Sequence, residues 1–130
     1  MKQIDNYTYT LTLTVEKHML ANVIGSGDVA VYATPMMIAS MEECAKKCLQ
    51  PYLEDGETSV GIMIHASHES ATPLHKKVSI TAKIQKIEGR IVTFHIEAKD
   101  EIGIIGKATH QRCIVHKDTF ENRVKNKYNK

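Results

Sequence analysis

The chain has 130 residues, 42% of them hydrophobic and 25% charged, and a formal net charge of +2 with neutral histidines. This length suffices to bury one hydrophobic core, so we expect a single domain over residues 1–130, with a polar, basic tail at residues 119–130. The small net charge argues against nucleic-acid or anionic membrane partners, and no apolar run approaches the roughly 20 residues that span a bilayer.

The first predicted element is a strand from Tyr7 to Val15. Tyr and Leu alternate with Thr over this segment, which is the period-2 pattern of residues that favour a pleated, half-buried surface. The segment that follows, residues 22–33, carries Gly25 and Gly27 and is predicted to form a loop or an interrupted helical turn.

Thr34-Pro35 predicts the start of the one long helix, because Thr is a preferred N-cap residue and Pro is favoured at the first helical position. We expect the helix to end near Leu49 or Gln50, before Pro51. Its apolar residues fill one continuous arc of the helical wheel, namely Met37, Ile38, Met41, Cys44, Ala45, Cys48 and Leu49.

Two adjacent glutamates fall on different parts of that wheel. Glu43 lies on the polar side, four residues before Lys47, and is predicted to be a solvated surface charge. Glu42 lies at the edge of the apolar arc. Periodicity leaves two interpretations of Glu42 open: a boundary residue that reaches water, or a carboxylate held against an apolar wall for proton transfer or attack.

The three cysteines are expected to be reduced. Cys44 and Cys48 share a helix face and are predicted to be small core residues rather than nucleophiles. Together with Cys113 they make an odd number, and no C-x-x-C pair is present. Because the N-terminus also lacks an apolar leader, we expect a soluble, cytoplasmic protein.

After the helix the pattern becomes that of β-strands. Alternation predicts a strand from Thr58 to Ser67, in which Val60, Ile62 and Ile64 face the same side as His68. Two further strands, residues 78–87 and 91–98, are joined by a hairpin signal, and a long strand follows at residues 104–116.

This order predicts an α+β fold in which an antiparallel sheet of about five strands wraps one long helix. Such a sheet leaves an edge or a face uncovered, so we expect a homodimer to complete it.

The seven histidines do not form a pattern that predicts a metal site. His65 and His68 are three residues apart on a strand and therefore point to opposite faces, and no H-E-x-x-H or clustered Cys/His set occurs. His68 remains open to two interpretations: a satisfied structural histidine, or a group at a strand end that reaches a cleft.

Three segments, in register along the chain, carry a family resemblance. They are VYATPMMIASME at residues 31–42, TSVGIMIHASHESATP at residues 58–73 and GIIGKATHQR at residues 103–112. From about residue 9 to residue 118 the chain resembles the fluoroacetyl-CoA thioesterase family of hotdog proteins. The resemblance implies a hotdog fold, assembly as a homodimer or a dimer of dimers, and hydrolysis of an acyl-CoA in which coenzyme A is part of the substrate rather than a cofactor.

The resemblance also implies site residues. Thr34 of the A-T-P motif, Glu42 eight positions later and His68 correspond to catalytic positions, while Gly61 and Arg112 correspond to positions that contact the substrate. Members specialised for the fluorinated substrate share an aromatic lid before the A-T-P motif, whereas here residues 25–31 read GSGDVAV. Tyr32 is the nearest aromatic, so we expect it to line the site and the acyl group to be a different short or medium chain.

Thioester hydrolysis assigns a task to each of these groups. His68 is the expected base, Thr34 either attacks or orients a water molecule, and Glu42 either orients His68 or attacks directly. Backbone N–H groups of Met36 or Met37 at the helix start are expected to face the thioester oxygen.

The spacing of Thr34 and Glu42 constrains this site. Eight residues of helix rise about 12 Å, so either the helix begins later than Thr34, or Glu42 and His68 come from opposite subunits. The competing functions are a hotdog hydratase or dehydratase and a non-catalytic acyl-CoA binding module.

Overall fold

One antiparallel sheet and one long helix make up most of the computed structural model, which describes residues 1–129. The strands are β1 (Thr8–Thr14), β2 (Glu57–His68), β3 (Lys77–Glu88), β4 (Ile91–Lys99) and β5 (Ile104–His116). The helices are α1 (Ala21–Ile24), α2 (Thr34–Leu49) and α3 (Lys117–Tyr128), with short 3-10 turns at Lys17–Met19 and Gln50–Tyr52.

The sheet has the strand order β1-β3-β4-β5-β2, with every neighbouring pair antiparallel. Strands β1 and β2 therefore form its two edges. Helix α2 packs across one face, mainly on β3, β1 and β4. The predicted α+β architecture of one long helix on about five antiparallel strands is confirmed.

The core lies between α2 and the inner face of the sheet. The predicted apolar arc of α2 is buried apart from Ile38, which is half-buried. Burial raises the pKa of the Cys44 and Cys48 thiols to about 11, so both stay protonated and act as packing groups, as predicted. The sheet contributes Val78, Ile80, Ala82, Ile84, Val92, Phe94, Ile96, Ala98, Ile105, Ala108 and Ile114.

Helix α2 begins at Thr34, as predicted, but the prediction that Thr34 caps it is wrong. Ala33 is the N-cap residue, Thr34 is the first helical residue, and no side chain caps this end. Pro35 occupies the first turn, where its missing N–H has no helical acceptor to lose. The Thr34 hydroxyl is free for another partner as a result.

Strand β2 contains a bulge that changes which side chains face the core. Its pairing with β5 skips one residue between Gly61 and Met63, so Ile62 has no partner on β5. Ile64 and His68 face inward, but Val60 and Ile62 do not, and Ile62 is 49% exposed. The prediction that these four share one face is wrong, because it assumed an uninterrupted period of two.

The predicted basic tail is largely helical. Helix α3 covers residues 119–128 of that tail, and none of its residues is buried. Lys130, the last residue of that tail, lies outside the described residues. None of the helices within residues 1–129 has the length and apolar composition needed to cross a membrane.

Candidate active site

Thr34 and His68 form a hydrogen-bonded pair at the start of α2. Thr34 Oγ1 lies 2.7 Å from His68 Nδ1. Thr34 is the first residue of the helix and His68 is the last residue of β2, so two element ends bring the hydroxyl and the imidazole together. A hydroxyl within hydrogen-bond distance of an imidazole nitrogen is the arrangement that base-assisted nucleophilic catalysis requires.

The surroundings of His68 keep its imidazole neutral. Burial lowers the pKa of His68 below its ordinary value, and a backbone contact with Ser70 partly opposes this shift. The Tyr32 ring packs edge-on against the imidazole, with 6.3 Å between ring centroids. Within the described residues, the buried Nε2 atom of His68 has no hydrogen-bond partner. A neutral imidazole can accept a proton from Thr34.

The pair lines a surface pocket of about 210 Å³. The pocket wall also includes Val31, Tyr32 and the segment from Glu69 to Ala71. The positive end of the α2 dipole points into this region and favours an oxyanion there. Because the Met37 N–H already bonds the Ala33 carbonyl, the expectation that it faces the thioester oxygen is wrong, and Met36 is the candidate that remains.

A second polar group lies farther along α2, and we call it the glutamate group: Glu42, Gly61, His110 and Arg112. A Cβ atom on Gly61 would lie 2.8 Å from Glu42 Oε2, 3.2 Å from His110 Cε1 and 3.5 Å from Arg112 Nη1. The absence of a side chain at Gly61 therefore leaves a space on the β2 backbone that the other three members border.

Arg112 is buried within this group, and its side chain is held by hydrogen bonds. Its Nε donates to Ser59 Oγ at 2.8 Å and its Nη2 donates to the Ser59 carbonyl at 3.0 Å. Burial lowers the pKa of Arg112, while the negative charge of Glu42 acts in the opposite direction. The guanidinium stays charged and supplies positive potential beside Glu42.

The remaining predicted residues also have defined places. Tyr32 is buried beneath His68, and its hydroxyl donates to Ser40 Oγ at 2.9 Å. It is therefore a wall of the pocket, with its polar end already bonded. Glu43 is exposed and pairs with Lys47 at 2.8 Å, as the helical wheel predicted.

The six predicted site residues thus separate into two places. Thr34, His68 and Tyr32 lie at the start of α2, whereas Glu42, Gly61 and Arg112 lie about two turns farther on. Since α2 begins at Thr34, a later helix start does not bring Glu42 to His68 within one chain.

Sequence reasoning missed two members of the second place. His110 and Ser59 both contact Arg112, yet neither was predicted to belong to a site. His110 and Arg112 are two residues apart on β5, so the sequence indicated that they share a face. The burial of that face and the contact with Ser59 depend on strand pairing.

A larger surface pocket, of about 530 Å³, lies beneath α3 and contains none of the six predicted residues. Its wall includes the ion pair between Arg90 and Glu57, which joins the β3–β4 turn to β2. We assign the site to the smaller pocket because that one contains the Thr34–His68 pair.

Across residues 1–129, no three His, Cys, Asp or Glu side chains come together as a metal site would require.

Comparisons with known proteins agree with this architecture. The chain matches the family model of the fluoroacetyl-CoA-specific thioesterase over residues 15–118. It is 37% identical over 97 residues to the fluoroacetyl-CoA thioesterase of Streptantibioticus cattleyicolor, a match that covers 75% of this chain and 70% of that protein.

Solved structures of thioesterases are also similar to this chain. A variant of the fluoroacetyl-CoA thioesterase FlK with bound acetyl-CoA is similar at 30% identity and a TM-score of 0.88, covering 93% of this chain and 96% of that chain. A thioesterase superfamily member from Thermus thermophilus is similar at 29% identity and a TM-score of 0.87, covering 97% and 96%.

The fold and these matches define the class of the molecule as a hotdog-fold thioesterase, a hydrolase of thioesters. Within that class, the chain belongs to the fluoroacetyl-CoA-specific thioesterase family.

Proposed function

We propose that this thioesterase hydrolyses a short or medium acyl-CoA to the free acid and coenzyme A, at a site that two copies of the chain share. The observation that carries this proposal is the 2.7 Å contact between Thr34 Oγ1 and His68 Nδ1 in a pocket at the start of α2. A non-catalytic binding module would need neither a neutral buried imidazole nor a hydroxyl bonded to it.

The contact supports the following first chemical step. Thr34 Oγ1 attacks the thioester carbon while His68 Nδ1 takes the hydroxyl proton. The Met36 N–H and the dipole of α2 stabilise the oxyanion that develops. The thiolate of coenzyme A then leaves and receives the proton from His68, and a water molecule activated by the same imidazole hydrolyses the acyl ester.

Glu42 enters this site from the second subunit. Helix geometry separates Glu42 from the Thr34–His68 pair by about 12 Å within one chain. In the dimer, the carboxylate of Glu42 of the partner subunit faces the substrate at the Thr34–His68 pair and stabilises the imidazolium that forms during attack.

Strand β2 is the surface that we propose for dimerisation. It is a 12-residue edge strand that exposes Ile62 and Met63 near its middle. Such an edge is normally paired or covered. The opposite edge, β1, is shorter at 7 residues and rich in Thr, so it is the less favourable apolar contact.

The register of that pairing follows from the two polar groups. With the bulged Ile62 left out of the count, an antiparallel pair of β2 strands with its two-fold axis at His65 places His68 of one chain opposite Gly61 of the other. Because Glu42 lies against Gly61, the same register brings the glutamate group of one subunit beside the Thr34–His68 pair of the other.

The acyl group is proposed to be other than fluoroacetyl. The segment before the A-T-P motif, residues 25–31, has no aromatic residue, and Val29 within it is 64% exposed. Tyr32 is held beneath His68 and does not extend over the pocket.

We also propose that the protein works in the cytoplasm, where free thiols such as Cys44 and Cys48 stay reduced.

Release of free thiol from a panel of acyl-CoAs tests the function. We expect thiol and free acid to appear in equal amounts, with acetyl- to medium-chain substrates preferred over fluoroacetyl-CoA. Hydration of an enoyl-CoA without thiol release would instead identify a hydratase. Tight binding of acyl-CoA without any turnover would identify a binding module.

A further inference from the structure

His110 is a buried histidine with a bonded partner on each ring nitrogen. It lies on the inner face of β5 and is only 1% exposed. Its Nδ1 lies 2.8 Å from the Met63 carbonyl oxygen, and its Nε2 lies 3.2 Å from Arg112 Nη1. The ring also stacks on Phe94, with 6.1 Å between centroids.

These partners define the protonation state of the ring. A guanidinium nitrogen only donates, so His110 Nε2 must accept from Arg112, and a carbonyl oxygen only accepts, so His110 Nδ1 must donate to Met63. Both bonds are satisfied only by the neutral imidazole with its proton on Nδ1. An imidazolium would place an N–H on Nε2 against the Arg112 N–H.

The two bonds join parts of the molecule that determine the geometry of the glutamate group. Met63 closes the β2 bulge, and the bulge follows Gly61 directly. The Arg112 guanidinium is held by Ser59 through Nε and Nη2 and by His110 through Nη1. With its nitrogens fixed in this way, Arg112 holds Nη1 beside the space at Gly61 that Glu42 Oε2 also borders, and the Glu42 charge acts on the guanidinium.

We propose that His110 is a positioning residue for the thioesterase reaction: as a neutral imidazole it fixes Arg112 and the β2 bulge, and thereby holds Glu42 in its working position. This inference rests on the proposed function of the same site. It gives the enzyme a second histidine, besides His68, that must be neutral for turnover.

The groups that face His110 support this pH dependence. Burial lowers the pKa of His110, the Arg112 charge lowers it further, and the Met63 carbonyl and the Glu42 charge oppose the shift. Phe94 contributes an apolar ring and no charge. The net direction favours the neutral form, so His110 keeps Arg112 in place down to a pH below the ordinary histidine value.

Two substitutions separate the hydrogen bonds from the titration. His110→Gln can accept from Arg112 and donate to Met63 but cannot titrate, whereas His110→Phe packs on Phe94 and makes neither bond. The matched control is His95→Gln, on the outer face of the sheet. For each variant, kcat and KM for thiol release are measured across pH, together with the melting temperature.

For His110→Phe we expect kcat to fall about 10- to 100-fold, the cost typical of misplaced catalytic groups, with KM changed by less than about threefold. His110→Gln should keep kcat within about threefold of wild type at pH 7.5. The acid limb of the plot of log kcat against pH should also be shallower for His110→Gln. Its limiting slope should be about 1 in place of about 2, because one fewer proton has to be lost to reach the active form. His95→Gln should match wild type.

Other results overturn the proposal. A lower melting temperature with unchanged kcat in His110→Phe would make His110 a packing residue only. Equal losses in His110→Gln and His110→Phe would show that the two hydrogen bonds are not the cause, and an unchanged acid limb in His110→Gln would refute the titration.

Failure of the proposed function is recognised separately. If wild type releases thiol from no acyl-CoA, the function is wrong, and ¹⁵N NMR of the His110 ring still tests the positioning arrangement. A protonated Nδ1 with an unprotonated Nε2 supports that arrangement, and the other tautomer overturns it.

Discussion

Glu42 Oε2 lies 2.8 Å from the point where a Cβ atom of residue 61 would be, so only glycine at this position leaves room for the carboxylate. Gly61→Ala should therefore displace the carboxylate and lower kcat about 10- to 100-fold while the fold persists. Gly103→Ala is the control, because a Cβ at Gly103 meets nothing within 4 Å. Thiol-release kinetics and a thermal melt on both variants check this, and equal kcat values would show that Glu42 has no role at that position.

The two adjacent glutamates should differ sharply. Glu42→Gln keeps the shape of the side chain but removes its charge, and should lower kcat by at least about 100-fold, the lower bound usual for acid–base residues. Glu43→Gln removes only an exposed ion pair with Lys47, so it should leave kcat unchanged and alter stability by about 0.5 kcal/mol or less. Similar kinetics for both variants would refute the assignment of Glu42.

The acid limb of kcat/KM should report His68. Its pKa is lowered by burial, so the active neutral form persists below the ordinary value of 6.5, and activity falls only at more acidic pH. The same shift makes the folded state bind fewer protons than the unfolded one, so stability is full above about pH 6.5 and declines as pH falls. A melting temperature that rises on acidification would contradict this direction.

Substitution of His68 separates catalysis from packing. His68→Asn should remove at least about 100-fold of kcat/KM. His65→Asn, on the exposed face of the same strand, should leave the pH profile unchanged. If His68→Asn instead only lowers the melting temperature while the folded fraction stays active, His68 is a structural residue.

Mixing inactive subunits tests the shared site. Glu42→Gln homodimers and His68→Asn homodimers should each be nearly inactive. After exchange of subunits, half of the dimers are mixed and each contains one intact site, so about a quarter of wild-type activity should return. No recovery, despite subunit exchange shown by differential tagging, would place all catalytic groups within one chain.

Local patterns were sufficient to predict most of the fold. Alternation located every strand, β5 to the residue, and Thr34-Pro35 located the start of α2, because both signals depend on neighbours in sequence. The bulge at Ile62 escaped prediction because Val60, Ile62 and Ile64 fit a period of two across it. Only the pairing of β2 with β5 shows that one residue is extra.

The site was less predictable than the fold. The helical wheel distinguished Glu42 from Glu43, but a wheel does not show what a side chain meets on another element. The contact of Arg112 with Ser59 joins residues that only the pairing of β2 with β5 brings together. The bond that makes Thr34 a partner of His68 rather than a helix cap spans 34 residues.

The extra residue in β2 has a consequence for the curvature of the edge. Removing Ile62 would leave Ser59, Gly61, Ile64 and His68 on the faces they already occupy, because a bulge adds one residue without reversing the alternation beyond it. What would change is the bend of the strand, and with it the angle at which two identical edges cross. In the proposed dimer the bulge thus orients one molecule relative to its copy, and a straightened strand would carry every reactive group yet present them to the copy at a different angle.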